Sequence, residues 1–201
     1  MTLRMRPTLV ACSIVSGIVA SACSSKNATP QAFVEAQLAS GAANGQCNFG
    51  NEVVLTIGDV DAKTNDVKRV SDGSGPTTVS CTVKSTGNGN FSISGEVADN
   101  ATGLGRGGSL VISGTVNDSN GGQNISVRLT EQGTTYAEED CSIMFPSSSI
   151  FAISMALTPA PPNVATGRIF GELSCPNAST IGGSPAVCIA TMDFVFENCS
   201  Q

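Results

Sequence analysis

Val79-Ser80-Cys81-Thr82-Val83-Lys84-Ser85-Thr86-Gly87-Asn88-Gly89-Asn90-Phe91-Ser92-Ile93-Ser94-Gly95-Glu96-Val97 is the stretch that decides the fold. Val79, Cys81 and Val83 alternate with Ser80, Thr82 and Lys84, the period of a strand with one apolar and one wet face. Gly87-Asn88-Gly89-Asn90 supplies residues that tolerate positive φ, and Phe91, Ile93 and Val97 resume the alternation. The stretch therefore reads as a β-hairpin.

The same grammar recurs on both sides. Val53-Val54-Leu55-Thr56-Ile57 precedes it; Leu110, Ile112 and Val116 follow, and Asn120-Gly121-Gly122 turns the chain into Ile125, Val127 and Leu129. Further strands are expected at Cys141 to Phe145, Ile150 to Leu157, Gly167 to Cys175 and Val187 to Cys199. Short strands at this spacing predict an all-β domain, an antiparallel sandwich or barrel with one wet face. One short helix is expected before them. Thr29 is placed to cap it, Pro30 to open it, and it would run to Leu38. Thr158-Pro159-Ala160-Pro161-Pro162-Asn163 reads as a rigid connection between late strands.

The N-terminus carries an address. Arg4 and Arg6 form a basic start, Thr8 to Ala20 a mostly apolar stretch, and Ala20-Ser21-Ala22 a small-residue cleavage site. The apolar stretch is shorter than the roughly 20 residues that span a bilayer. Ala20-Ser21-Ala22-Cys23 has the form of a lipobox, with Ala20 standing where Leu is usual. The expected organisation is a signal peptide over 1–22, a lipidated Cys23 with a flexible tether over 23–31, and a disulfide-bonded β domain over 32–201. Two or three acyl chains on Cys23 would give stable anchoring.

Charge and cysteine content agree with export. Loss of Arg4 and Arg6 with the signal moves the formal charge from −6 to −8, and the only adjacent basic pair is Lys68-Arg69, which disfavours nucleic acid as a partner. With Cys12 lost and Cys23 lipidated, Cys47, Cys81, Cys141, Cys175, Cys188 and Cys199 remain, an even set that reads as a disulfide framework. Zinc is disfavoured by the absence of His and of any C-x-x-C spacing. Six cysteines allow fifteen connectivities. Cys175 with Cys188 is the preferred pair across a turn-rich loop, with Cys47–Cys81 and Cys141–Cys199 following. Cys81 and Cys141, in phase with apolar neighbours, should point inward.

The motifs that suggest chemistry lack its context. Gly103-Leu104-Gly105-Arg106-Gly107-Gly108 matches G-x-G-x-x-G, but Ser109-Leu110-Val111-Ile112-Ser113 behind it reads as a strand, not the required helix. Asp59, Asp61, Asn65 and Asp66 crowd one loop, so Asp59, Asp61 and Asp66 are the candidate calcium ligands; Lys63 breaks the EF-hand pattern and a solvated turn is favoured. Glu138-Glu139-Asp140 is the densest acidic run, read as charge on an edge strand, with Glu138 and Asp140 on one face. Carboxylate catalysis is the competing reading of that run, yet the chain has no Trp and one Tyr to hold a sugar. No G-x-S-x-G or S-x-x-K occurs, and without His the Ser-His and Cys-His routes are closed. Asn124-Ile125-Ser126 and similar triplets fit a Ser/Thr/Asn-rich surface. No cofactor is expected.

The lipobox, Gly45-Gln46-Cys47, the polar hairpins and the ending Phe194-Val195-Phe196-Glu197-Asn198-Cys199 together resemble uncharacterised myxobacterial secreted lipoproteins. The resemblance implies envelope attachment and assigns no activity or site residue. The functional expectation is thus a non-enzymatic, lipid-anchored envelope protein, outer-membrane, periplasmic or surface-exposed, that binds an envelope protein or polymer or contributes to surface structure. An envelope hydrolase using carboxylates or a Ser-Lys pair, and an accessory subunit of an outer-membrane assembly, are the alternatives.

Overall fold

A computed structural model describes residues 28–40, 47, 49–60, 67–101, 107–145, 163–182 and 186–201. The strands are β1 (Gln31–Ser40), β2 (Gly50–Ile57), β3 (Asp59–Val60), β4 (Val67–Lys68), β5 (Val70–Ser71), β6 (Thr77–Gly87) and β7 (Asn90–Asp99). They continue as β8 (Gly108–Asn117), β9 (Gly121–Glu131), β10 (Thr134–Met144), β11 (Val164–Ala165), β12 (Arg168–Thr180) and β13 (Val187–Glu197). Eleven of them form one antiparallel sheet ordered β2-β1-β13-β12-β10-β9-β8-β7-β6, with β5 beside β1 and β11 beside β12. The sheet curls into a half-barrel around one core.

The opening hairpin is β6–β7, register Val79↔Val97 through Ser85↔Phe91, and its turn is Asn88-Gly89 with both φ positive (54° and 74°). That is the primed turn whose twist matches the flanking strands. Inward residues of every long strand meet in the core: Val79, Val83, Ile93, Val97, Leu110, Ile112, Ile125, Leu129, Ile143, Leu173, Met192 and Phe196 among them. Gly95 on β7 shows how closely the curled halves approach, because an added Cβ would stand 2.8 Å from the Phe196 ring on β13.

No helix occurs among the described residues, so none there is long and apolar enough to cross a membrane. The expected Pro30–Leu38 helix is a strand. Ala32, Val34, Ala36 and Leu38 are all fully buried at period two, and β1 pairs β13 on one side and β2 on the other. Backbone pairing on both edges and burial of a strand-spaced apolar row outweigh a local cap. Several expectations lie outside the described residues: the signal peptide over 1–22, the lipidated Cys23, the strand Ile150 to Leu157, and the connection Thr158 to Asn163 apart from Asn163 itself.

All three expected disulfide pairings are wrong, although the same six cysteines are bonded. The bridges are Cys47–Cys188, Cys81–Cys199 and Cys141–Cys175. Cys175 and Cys188 sit on neighbouring strands but out of register, since Cys175 faces Ala190 and Ala178 faces Cys188 across a bulge. Cys175 instead lies across from Cys141 on β10, one step from the Ser142↔Ser174 pair, with Cα atoms 4.4 Å apart. Cys81 and Cys141 point inward as expected. Multiple disulfides mark an extracytoplasmic protein.

The two sheet edges are treated differently. The backbone of β6 that faces away from β7 is occupied by three other segments. Thr77 N–H donates to Ser74 O and Gly73 N–H to Thr77 O; Val79 N–H donates to Asp72 Oδ1 at 2.8 Å. Ser200 N–H donates to Cys81 O, Val83 N–H to Ser200 O and Gly167 N–H to Val83 O, each within 3.0 Å. The Cys81–Cys199 bridge locks this capping in place. At the other edge, no described strand pairs with the outer side of β2.

Candidate functional site

The concave side opens beside that free edge. Two adjoining hollows, about 430 and 530 Å³, share Val53, Val54, Glu131 and Gln132. The first is completed by Leu55, Thr56, Asp99 and Gly107, the second by Phe49, Glu52, Thr134 and Tyr136. Together they form one cleft between β2 and the β9–β10 hairpin. That hairpin turns on Gln132-Gly133, both at positive φ, and Thr130 and Thr135 hydroxyls hydrogen-bond across it at 3.0 Å. Phe49 meets Tyr136 edge-on, ring centroids 6.1 Å apart, which ties the start of β2 to β10.

The cleft is acidic. Glu52, Asp99 and Glu131 line it, with no Lys or Arg among its described lining residues. Burial raises the Glu131 carboxyl, and burial followed by the Glu131 charge raises the Tyr136 hydroxyl. The sequence hid this site because its walls come from residues about eighty positions apart. The turn at Gln132-Gly133 was not among the expected turns, and what it faces is set by the curl of the sheet.

The convex face carries a second polar feature. Register across β1, β13 and β12 sets Glu35 opposite Asp193 and Asp193 opposite Glu172. Burial, then Glu172, then Glu35 push the Asp193 carboxyl up to about 6. Two residues along, Phe33, Val195 and Phe170 form an apolar row that packs against Val60 and Val67 of the β3–β4 ribbon. A further two along, Glu197 faces Arg168 and forms an ion pair with Arg69, whose Nε lies 3.2 Å from Glu197 Oε2. Burial lowers the Arg168 guanidinium, Glu197 opposing and Arg69 adding to that effect.

The expected site residues fall as follows. Asp59 is in β3 and lies 3.5 Å from Lys68 Nζ on β4, so a cation already faces that candidate calcium ligand. Asp61 and Asp66 are outside the described residues. Glu138-Glu139-Asp140 is not on an edge, because β10 runs between β9 and β12. A bulge in this run, where Glu138 to Cys141 spans Val127 to Ile125, breaks the alternation that would put Glu138 and Asp140 on one face. Glu138 Oε2 accepts the Asn177 N–H at 2.8 Å, satisfying a backbone donor at the β12 bulge. Its carboxylate also lies near the Cys141 and Cys175 sulfurs, but these are bonded to each other and have no thiolate to offer a metal. Of the glycine-rich loop, Gly107 and Gly108 are described; Gly108 opens strand β8, as the sequence implied.

No protein-family model, curated protein or solved structure matches the chain.

Proposed function

We propose that the protein is an exported lipoprotein of the cell envelope whose β domain binds a partner without chemistry of its own. Cleavage before Cys23 and acylation of that cysteine hold the domain at a membrane, outer-membrane by preference, in the manner of the secreted lipoproteins it resembles. The observation that carries this reading is the sulfur accounting. Six cysteines are consumed in three disulfides, and Cys23 is the one remaining cysteine of the mature chain. In an oxidising compartment an unprotected seventh thiol is a liability, and lipid removes it. The eight residues from Cys23 to Pro30 that precede β1 reach about 25 Å when extended, a short tether for such a domain.

Absence of His and an acidic cleft beside a strand whose outer side no described strand pairs favour binding over catalysis. The accessory-subunit reading has less support, since among the described residues the large exposed apolar side chains, Val53, Met144 and Ile181, lie on separate segments. Metabolic palmitate labelling tests the anchor: label is expected on the wild-type chain and absent from Cys23→Ala, which should leave the membrane fraction. A Cys23→Ala chain that stays membrane-bound, or keeps its label, overturns it.

A further inference from the structure

We propose that the free edge of β2 receives a short added strand from a partner, an extended peptide segment carrying Lys or Arg at alternate positions. This deepens the binding reading above and rests on it.

The contrast between the two edges is the first ground. Along Thr77 to Val83 the outward backbone of β6 is capped by the turn after β5, by Ser200 and by Gly167. An unpaired strand is a template for another chain, so capping one edge and leaving the other is informative. No described segment gives β2 the same cover. The second ground is where the edge looks. Val53 to Thr56 line a cleft whose far wall is Glu131 and Gln132 at the β9–β10 hairpin, so an added strand would be held on two sides.

Charge complementarity selects the occupant. Glu52, Asp99 and Glu131 face the cleft, and no described ion pair engages Glu131. A Lys or Arg on the added strand would supply the missing cation and convert these acids into charge-assisted hydrogen-bond acceptors. A second copy of this chain is disfavoured, because edge-to-edge pairing would bring like charges at Glu52 together on a chain of net charge −6. Bulges in β2 at Asn51, which has φ 69°, and at Val54 confine regular pairing to a few residues. A short ladder needs side-chain anchors. Strand alternation supplies them every second residue, toward Glu131 and toward the Phe49–Tyr136 pair.

The test uses the full-length, oxidised chain in mild detergent and a fluorescein-labelled, end-blocked Lys-Val-Lys-Val-Lys peptide. Fluorescence anisotropy should show saturable binding, weakened at least tenfold when Glu replaces the lysines and by Glu131→Gln in the protein. Glu52→Gln should weaken it in the same direction if Glu131→Gln perturbs folding. N-methylation of alternate peptide amides should abolish binding, and hydrogen exchange should slow in 50–57 when the parent peptide binds. No saturable binding, equal binding of the N-methylated peptide, or protection elsewhere would overturn the proposal. So would equally strong competition by spermine, which would reduce the cleft to a trap for cations. Failure here with palmitate still on Cys23 removes the strand-addition proposal alone, whereas an unlabelled Cys23 leaves the peptide measurement standing.

Discussion

Asp193 sits between Glu35 and Glu172 on the convex face, and like charges directly opposed across a ladder destabilise it. The row four residues along, Glu197 with Arg168 and Arg69, is the favourable counterpart. A carboxyl whose folded pKa is about 6 against an ordinary 3.8 is penalised when ionised. Well below pH 3.8 it is protonated folded and unfolded, so it costs nothing there. The penalty grows as pH rises toward 6 and is constant above. Asp193→Asn should therefore stabilise the protein at pH 8 by about 1 kcal/mol, after discounting for a side chain that is only half-buried. At pH 2.5 it should give no gain; urea unfolding of variant and parent at the two pH values reads the difference, and an equal effect at both refutes the assignment. The face on which Asp193 lies was legible from the strand expected over Val187 to Cys199. Its partners were not, because register is a property of two strands and the local sequence around Glu35 favours a helix.

At the level of elements, the β3–β4 ribbon explains why one end of the convex face is apolar. Chain leaves β2 through Gly58, folds Val60 and Val67 over Phe33, Phe170 and Val195, and returns as β5 to the same edge of β1 that β2 uses. Burying side chains of this size contributes about 1.5–3 kcal/mol each. Gly58 permits the turn with φ +97°, and a Cβ there would stand 2.6 Å from Lys68 O and 2.9 Å from Phe33 Cδ2. Gly58→Ala is expected to cost about 2 kcal/mol through backbone strain and displacement of the ribbon. Faster hydrogen exchange at 59–60 and 67–68, with a lowered denaturation midpoint, would report it; unchanged exchange in the ribbon would contradict it. The exposed Lys68–Asp59 pair adds little to that closure. In sequence this segment was visible only as an Asp-rich loop, since two-residue strands carry no periodicity to read.

For the molecule as a whole, the disulfides do more than shorten the unfolded chain. Cys81–Cys199 closes a separation of 118 residues and holds Ser200 on the edge of β6, while Cys141–Cys175 closes 34 between adjacent interior strands. On chain entropy alone the first is worth about 5 kcal/mol and the second about 4. Replacing both cysteines by serine should thus cost about 1 kcal/mol more for Cys81/Cys199 than for Cys141/Cys175 in urea unfolding. The Cys81/Cys199 variant alone should also self-associate, as light scattering would show, because it uncaps a strand edge. Equal costs without self-association would remove the capping role.

Composition and periodicity determined the class. Alternation at period two, turn residues between the runs and an even set of six cysteines were enough to predict an antiparallel, disulfide-bonded β domain, because burial of one strand face is a local pattern. Tertiary structure decided everything that depends on two distant segments meeting. It made a strand of Pro30–Leu38 by giving β1 a partner on each side, and it paired the cysteines by register instead of by loop length. It also brought the acids of the cleft together and left β2 as the edge that no described segment caps, because edges, registers and clefts exist only once the sheet has curled.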